Sequence, residues 1–184
     1  MVLKNGKQYQ IDMHLKHNRS KGIAVNKIPM KKASELFGIL NIVFFSPEDL
    51  NIIKNGPSER RHFLDAELCQ LDKIYLSDLS NYNKILNQRN KLLKDMVYRP
   101  ELSDTLPVWD MQLADTGKKI IRRREQFVKE LNEIVHEIHY RISGGREELF
   151  LSYEPSVSAD LLEQELERVK PVSYTHLTLP TIRL

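Results

Sequence analysis

Arg60 and Arg61 stand side by side near the start of a predicted helix, a short way after the acidic pair Glu48 and Asp49. Backbone N–H groups give a helix N-terminus a positive field that disfavours cations. Two arginines placed there suit a carboxylate or phosphate partner, and a solvated pair accounts for them as well. Lys118, Lys119, Arg122, Arg123 and Arg124 form the densest basic cluster. Helical spacing puts Lys118 with Arg122 on one edge and Lys119 with Arg123 on another. Such a face can follow phosphates with an affinity that falls steeply with salt. Glu125, Glu130 and Glu133 follow at once, so a solvated outer face is an equal account. His136 and His139 lie three apart with no third ligand in view, and structural or solvent-facing roles are expected for them. No metal site and no catalytic residue is assigned. Cys69 is the only cysteine. That excludes an internal disulfide and a thiolate cluster, and the residue reads as a half-buried thiol on a helix.

Several elements must position these groups. Asn5-Gly6 is a two-residue hairpin turn, since both positions tolerate positive φ. Beyond it Tyr9, Ile11, Met13 and Leu15 alternate with polar residues, the period of a half-buried strand. His17 to Gly22 reads as a turn, Ile23 to Val25 as a third short strand, and Lys31 to Phe37 as a brief helix. The apolar run from Ile39 to Phe45 predicts a strand buried on both faces. Ser46 then suits an N-cap and Pro47 a first helical position, with Glu48 and Asp49 where the dipole favours acid. Gly56 is expected to end that helix in the left-handed conformation, and Pro57 with Ser58 to open the next.

From Ser58 the pattern is helical. Leu64, Leu68, Leu71, Tyr75, Leu79, Tyr82, Leu86, Leu93 and Met96 fall mainly at three- and four-residue steps, with Arg89 interrupting the seam. Pro100 and Pro107 bracket a connection. A second helix carries Leu113, Ile120, Phe127, Leu131, Ile134, Ile138 and Ile142 on one face. Two such helices should lie antiparallel as a hairpin. Gly144-Gly145 ends the second helix, Leu149, Leu151 and Tyr153 predict a returning strand, and Asp160 to Lys170 a short helix. Pro171 to Leu184 has no carboxylate and no matching period; its string PVSYTHLTLPTI resembles translated sequencing-adapter sequence and is set apart from the fold.

Composition bounds the class. At 41% hydrophobic and 29% charged, the chain is a foldable protein rather than a disordered one. Its longest apolar run is too short to cross a bilayer, no basic-then-apolar leader is read at the start, and a cytoplasmic location with no membrane partner is expected. A net charge of +3 is too small to establish a nucleic-acid partner and permits one only if the charge is clustered.

The stretch FSPEDLNIIKNGPSERRHFLD, Phe45 to Asp65, closely resembles the signature of the RecF family. The matching residues are Pro47, Glu48, Ile52, Ile53, Gly56, Pro57, Arg60, Arg61, Phe63, Leu64 and Asp65. Asn55-Gly56 departs from the family's usual glycine followed by a small residue. Tyr82, Leu86, Gln88, Arg89, Asn90, Leu92 and Leu93 resemble its tyrosine-to-Gln-Arg-Asn helix, and SGGREELFLSYEP from Ser143 to Pro155 its return to the sheet. The resemblance covers about Met1 to Lys170.

What the resemblance implies is an ABC-type ATPase head, related to those of Rad50 and SMC proteins, with a helical arm inserted. The expected fold is therefore α+β. Residues 1–57 give part of the head, 58–148 a helical hairpin arm, 149–170 a return strand and the start of the next helix, and 171–184 the adapter-like tail. The intact family protein would use ATP and Mg2+, dimerise around nucleotide, bind duplex and gapped DNA, and act with RecR and RecO to help load RecA during replication, gap repair and the SOS response. Glu48 or Asp49 sits about where such heads place a nucleotide-sensing loop, although ordinary helix capping also explains both. Arg60, Arg61, Lys118, Lys119, Arg122 and Arg123 are the candidate DNA-binding residues. No Gly-rich stretch ending in Gly-Lys-Ser/Thr occurs here, nor the signature loop or acidic strand. This chain is expected to bind no cofactor and to hydrolyse no ATP by itself. Ile142-Ser143-Gly144-Gly145 looks like the signature loop, but it follows a helix and precedes a predicted strand, so helix termination suffices. The rival class is a non-enzymatic helical-hairpin interaction module of another Rad50-like protein. The lack of sustained heptads after the prolines disfavours a long arm of that kind.

Overall fold

The computed structural model describes residues 1–14 and 22–169. The expectations for Leu15, for most of the His17–Gly22 turn, for Lys170 and for the tail lie outside the described residues. The chain divides into two compact units, Met1–Lys73 and Ile74–Leu184.

The first unit begins with β1 (Val2–Lys4) and β2 (Lys7–Tyr9), an antiparallel pair closed by Asn5 at φ 49° and Gly6 at φ 73°. Both central residues are left-handed, as a type I′ turn requires. Gln10 interrupts the strand. Its amide donates to Asn26 Oδ1 at 2.9 Å, and it accepts from the Asn26 amide at 2.8 Å. β3 (Ile11–His14), β4 (Gly22–Val25) and β5 (Ile28–Pro29) then form a second antiparallel sheet, in which Ile11 faces Val25 and Met13 faces Ile23. Ile23 and Val25 are its buried residues. A single 3-10 turn, Ala33–Leu36, stands where the brief helix was expected.

The apolar run before Ser46 does not form the expected buried strand. Residues 40–46 form no strand, and Ile42, Val43, Phe44 and Phe45 are exposed, Val43 by 92%. A strand apolar on both faces needs hydrogen-bonding neighbours on its edges and covering layers above and below. Among the described residues neither is supplied. One backbone group finds a substitute, since the Ile42 amide donates to Gln70 Oε1 at 2.9 Å.

A 3-10 turn (Pro47–Leu50) leads into α1 (Asn51–Lys54), and α2 runs from Pro57 to Leu71. Gly56 is not left-handed: its φ is −72° and its ψ −179°. The ring of Pro57 restricts the residue before it to extended conformations, and Gly56 instead serves as the N-cap of α2 with Pro57 in first place. The long helix expected from Ser58 to Met96 is also broken. Asp72 is extended, at φ −133° and ψ 107°.

The second unit is built on two antiparallel helices, α3 (Lys73–Asp95) and α4 (Leu106–Ile142), joined through a 3-10 turn at Pro100–Thr105. Tyr75 pairs with Arg124, Arg89 with Asp110, and Leu93 packs with Leu106 and Met96. Residue numbers rise along α3 as they fall along α4 by equal steps, so these contacts share one register. Buried positions on α4 include Leu106, Asp110, Leu113, Gly117, Ile120, Arg124 and Phe127, which alternate four- and three-residue steps as in a coiled-coil seam. The heptad does continue beyond Pro107, carried by Asp110, Gly117 and Arg124 as well as by apolar residues. Ile134, Ile138 and Ile142, expected on the same buried face, are more than half exposed.

After α4 the chain turns at Gly144 and Gly145, both left-handed. A Cβ on Gly145 would come within 3.0 Å of the Tyr140 hydroxyl, so glycine is needed there for space as well as for φ. The expected strand at Leu149–Tyr153 is not formed. The segment is tied to α4 by side chains instead: the Leu151 amide donates to Asn132 Oδ1 at 2.6 Å, and Phe150 stacks on His136 at 4.9 Å between centroids. With no strand beside it among the described residues, a side-chain acceptor takes the place of a ladder partner for the Leu151 amide. α5 (Leu162–Arg168) follows, held by buried Ala159, Leu162, Leu166 and Val169.

Candidate functional site

In the first unit the signature residues form a compact junction. Asp49 Oδ2 accepts from the Ser46 amide at 2.6 Å, closing the first turn. The Ser46 hydroxyl, and then Glu48's own backbone amide, hold the exposed Glu48 carboxyl below its ordinary range. Both candidate nucleotide-sensing carboxylates are thus engaged in capping this turn. Arg60 donates through Nη1 to the Asn55 carbonyl at 3.1 Å and to the Ile52 carbonyl at 3.3 Å. Those carbonyls end α1 without a left-handed residue, and a cation is favoured beside them. Arg60 therefore opens one helix while closing another. Arg61 and Leu64 are half-buried, Phe63 is 37% exposed, and Leu68 and Cys69 further along α2 are buried. Asp65 is half-buried and partnered.

In the second unit the basic cluster is met by acids. Lys118 Nζ lies 2.9 Å from Glu163 Oε2, and Arg122 Nη2 lies 2.8 Å from Asp160 Oδ1. The predicted shared edge of Lys118 and Arg122 is therefore the edge on which the α5 segment docks. Lys119 pairs with Asp115 one turn back at 3.0 Å, and this hydrogen bond raises its pKa. Arg123, half-buried, has Glu130 at 3.8 Å. Arg124 is not a surface cation at all. It is 4% exposed and donates through Nε to the Tyr75 hydroxyl at 3.0 Å.

The sequence pattern did not reveal the polar layer inside the hairpin. Arg89 is wholly buried, and its Nε donates to Asp110 Oδ1. Burial pushes the Tyr82 hydroxyl up to about 12, against the opposing pull of Arg124 and Arg89. Arg89 registered only as an interruption of an apolar seam. Its signal was that Asp110, read in the same heptad phase on the second helix, falls opposite. His136 and His139 are occupied by the return segment: His136 Nδ1 is 3.4 Å from the Leu149 carbonyl and His139 Nε2 is 3.8 Å from Glu147. Among the described residues no three His, Cys, Asp or Glu side chains converge as a metal site would require. No helix of the described residues is long and apolar enough to cross a membrane.

Small antiparallel sheets followed by a helical hairpin, with a capped arginine junction between, define a partial ABC-type ATPase head carrying an inserted arm. Two solved structures share this fold over nearly the whole chain. One is described as the recombination mediator protein RecF-ATPrS in the RecFOR pathway, with a TM-score of 0.82 and 33% identity, covering 95% of this chain and 49% of that one. The other, RecF-ATP of the same pathway, has a TM-score of 0.79 and 32% identity, covering 92% and 48%. The DNA replication and repair protein RecF of Agathobacter rectalis is 66% identical over 170 residues, which are 92% of this chain and 47% of the relative. That of Lachnospira eligens is 60% identical over 177 residues, 94% and 49%. No protein-family model matches the sequence. The chain belongs to the RecF family. It spans about half the length of the curated relatives it matches.

Proposed function

We propose that this chain serves within an ATP-dependent DNA-binding recombination mediator, supplying part of the ATPase head and the arm. The observation that carries the reading is the 66% identity to a DNA replication and repair RecF across 92% of the chain. Identity at that level over 92% of the chain supports a shared activity and not only a shared fold. In this reading the protein acts in the cytoplasm on duplex and gapped DNA, pairs with a second copy when ATP is bound, and works with RecR and RecO to help RecA assemble on single strands.

The chain's own contribution is positional. Arg60 fixes the exit of α1 against the start of α2, which holds the junction in one conformation. The α3–α4 hairpin is a rod whose register is set by a buried ion pair and braced by α5. Glu48 and Asp49 are committed to capping, and no phosphate-cradling set occurs among the described residues. ATP and Mg2+ are therefore assigned no contact in this chain, and no catalytic step is assigned to its residues.

The experiment replaces the matching region of the Agathobacter rectalis RecF with residues 1–169 of this chain. RecA assembly on gapped DNA is then followed with RecO and RecR present. The chimera should speed assembly as the unaltered relative does. A folded chimera that leaves the rate at the level seen without any RecF would refute the reading.

A further inference from the structure

The exposed face of α3 differs from the basic cluster of α4. From Leu79 to Lys94 the helix carries no aspartate or glutamate. Its one buried cation there, Arg89, is matched by Asp110. On the opposite side Ser80, Lys84, Asn87, Lys91 and Lys94 follow one another at alternating four- and three-residue steps, and all five are exposed. That spacing keeps them on a single stripe. No carboxylate lies within ion-pair distance of Lys84, Lys91 or Lys94 among the described residues, the acids Asp78 and Asp95 standing only at the two ends of the stripe. The α4 cluster is the reverse case. Lys118, Lys119, Arg122 and Arg123 each have a carboxylate at 2.8 to 3.8 Å, so much of their charge is already spent inside the molecule.

We infer that this α3 face is a nucleic-acid-backbone surface, on which Lys84, Lys91 and Lys94 neutralise phosphates and Ser80 and Asn87 donate to phosphate oxygens. The inference rests on the proposed DNA-binding role and moves the phosphate contacts of this unit from the dense α4 cluster to the sparser α3 stripe. Three arguments select the ligand. The three lysines span about 15 Å at the helical rise, a linear array suited to a repeating polyanion. The stripe contains no apolar residue, so it offers nothing to insert into a lipid surface. Its neutral members are a hydroxyl and an amide, side chains that commonly contact phosphate and sugar without reading bases. Binding there is sequence-independent and governed by counterion release.

The test uses the full chain and a fluorescein-labelled mixed-sequence DNA duplex, with affinity measured by anisotropy from about 50 to about 200 mM salt. The K84Q/K91Q/K94Q variant should bind at least about tenfold more weakly at the low-salt end, with a log–log salt slope shallower by about 3. The K84R/K91R/K94R variant should bind as the unaltered chain does. The K118Q/R122Q variant should keep the original slope. Glutamine is a good helix former, and circular dichroism of each variant checks that α3 is intact. If the unaltered chain binds but the glutamine variant keeps its affinity and slope, the α3 assignment is overturned and the DNA-binding reading survives. If the unaltered chain shows no duplex binding even at 50 mM salt, the surface is refuted outright, whereas the proposed function is still judged by the chimera.

Discussion

A guanidinium wholly removed from water is tolerable only beside a counter-charge, and for Arg89 that charge is Asp110. Removing one member of such a pair strands the other, which costs about 3–5 kcal/mol, whereas replacing both with apolar groups of similar volume is often neutral or better. Arg89→Met should therefore lower unfolding free energy by roughly that 3–5 kcal/mol. Arg89→Met with Asp110→Leu should recover most or all of it, as read by urea denaturation. If the double variant is as unstable as the single one, the pair does more than satisfy itself. Tyr82 gives a second residue-scale expectation. Its pKa is raised from 10.0 to about 12, chiefly by burial. A group whose folded pKa lies above its unfolded value contributes fully below the unfolded value and loses that contribution as pH rises towards the folded one. Stability should thus fall between about pH 10 and pH 12, by on the order of 2 kcal/mol. Tyr82→Phe should flatten that alkaline limb in melts run across the same range. An unchanged slope would place the alkaline loss elsewhere.

At the scale of elements, what could be read from the sequence depended on whether each element's determinants were local. The Asn5-Gly6 hairpin, the Ser46–Pro47 helix start and the Gly144-Gly145 stop were legible because each is set by a few adjacent residues. Gly56 was misread because glycine's left-handed freedom was weighed without the restriction imposed by Pro57. The runs Ile39–Phe45 and Leu149–Tyr153 have strand composition, but a strand exists only with a neighbour, and the described residues give them none. The α3–α4 seam was half legible. Its apolar members marked two amphipathic helices, while Asp110, Gly117 and Arg124 hid the heptad because no hydrophobicity pattern registers them. Spacing grouped Lys118 with Arg122 on one edge but also put the buried Arg124 in the cluster, and the pairing with Asp160 and Glu163 comes from a segment some forty residues downstream in sequence and could not be seen from α4 alone.

For the whole molecule, the exposed run from Ile42 to Phe45 has a direct consequence. Four large apolar side chains between 59% and 92% exposed form a contiguous apolar surface segment. Val43→Ser, Phe44→Ser and Phe45→Ser together should reduce self-association of the chain in sedimentation without altering its helical content. Equal self-association would show that other surfaces drive it. The same run also marks how family membership and fold are coupled here. The sequence match extends through residues that would need further neighbours to form a sheet, and the chain spans about half the length of its relatives. The central proposal, that these residues serve within an ATP-dependent DNA-binding recombination mediator, is tested most directly by duplex affinity of the RecF chimera carrying residues 1–169. ATP should tighten binding by at least about tenfold, a coupling of about 1.4 kcal/mol. Equal affinity with and without ATP, in a chimera whose ATP binding is intact, would contradict the account.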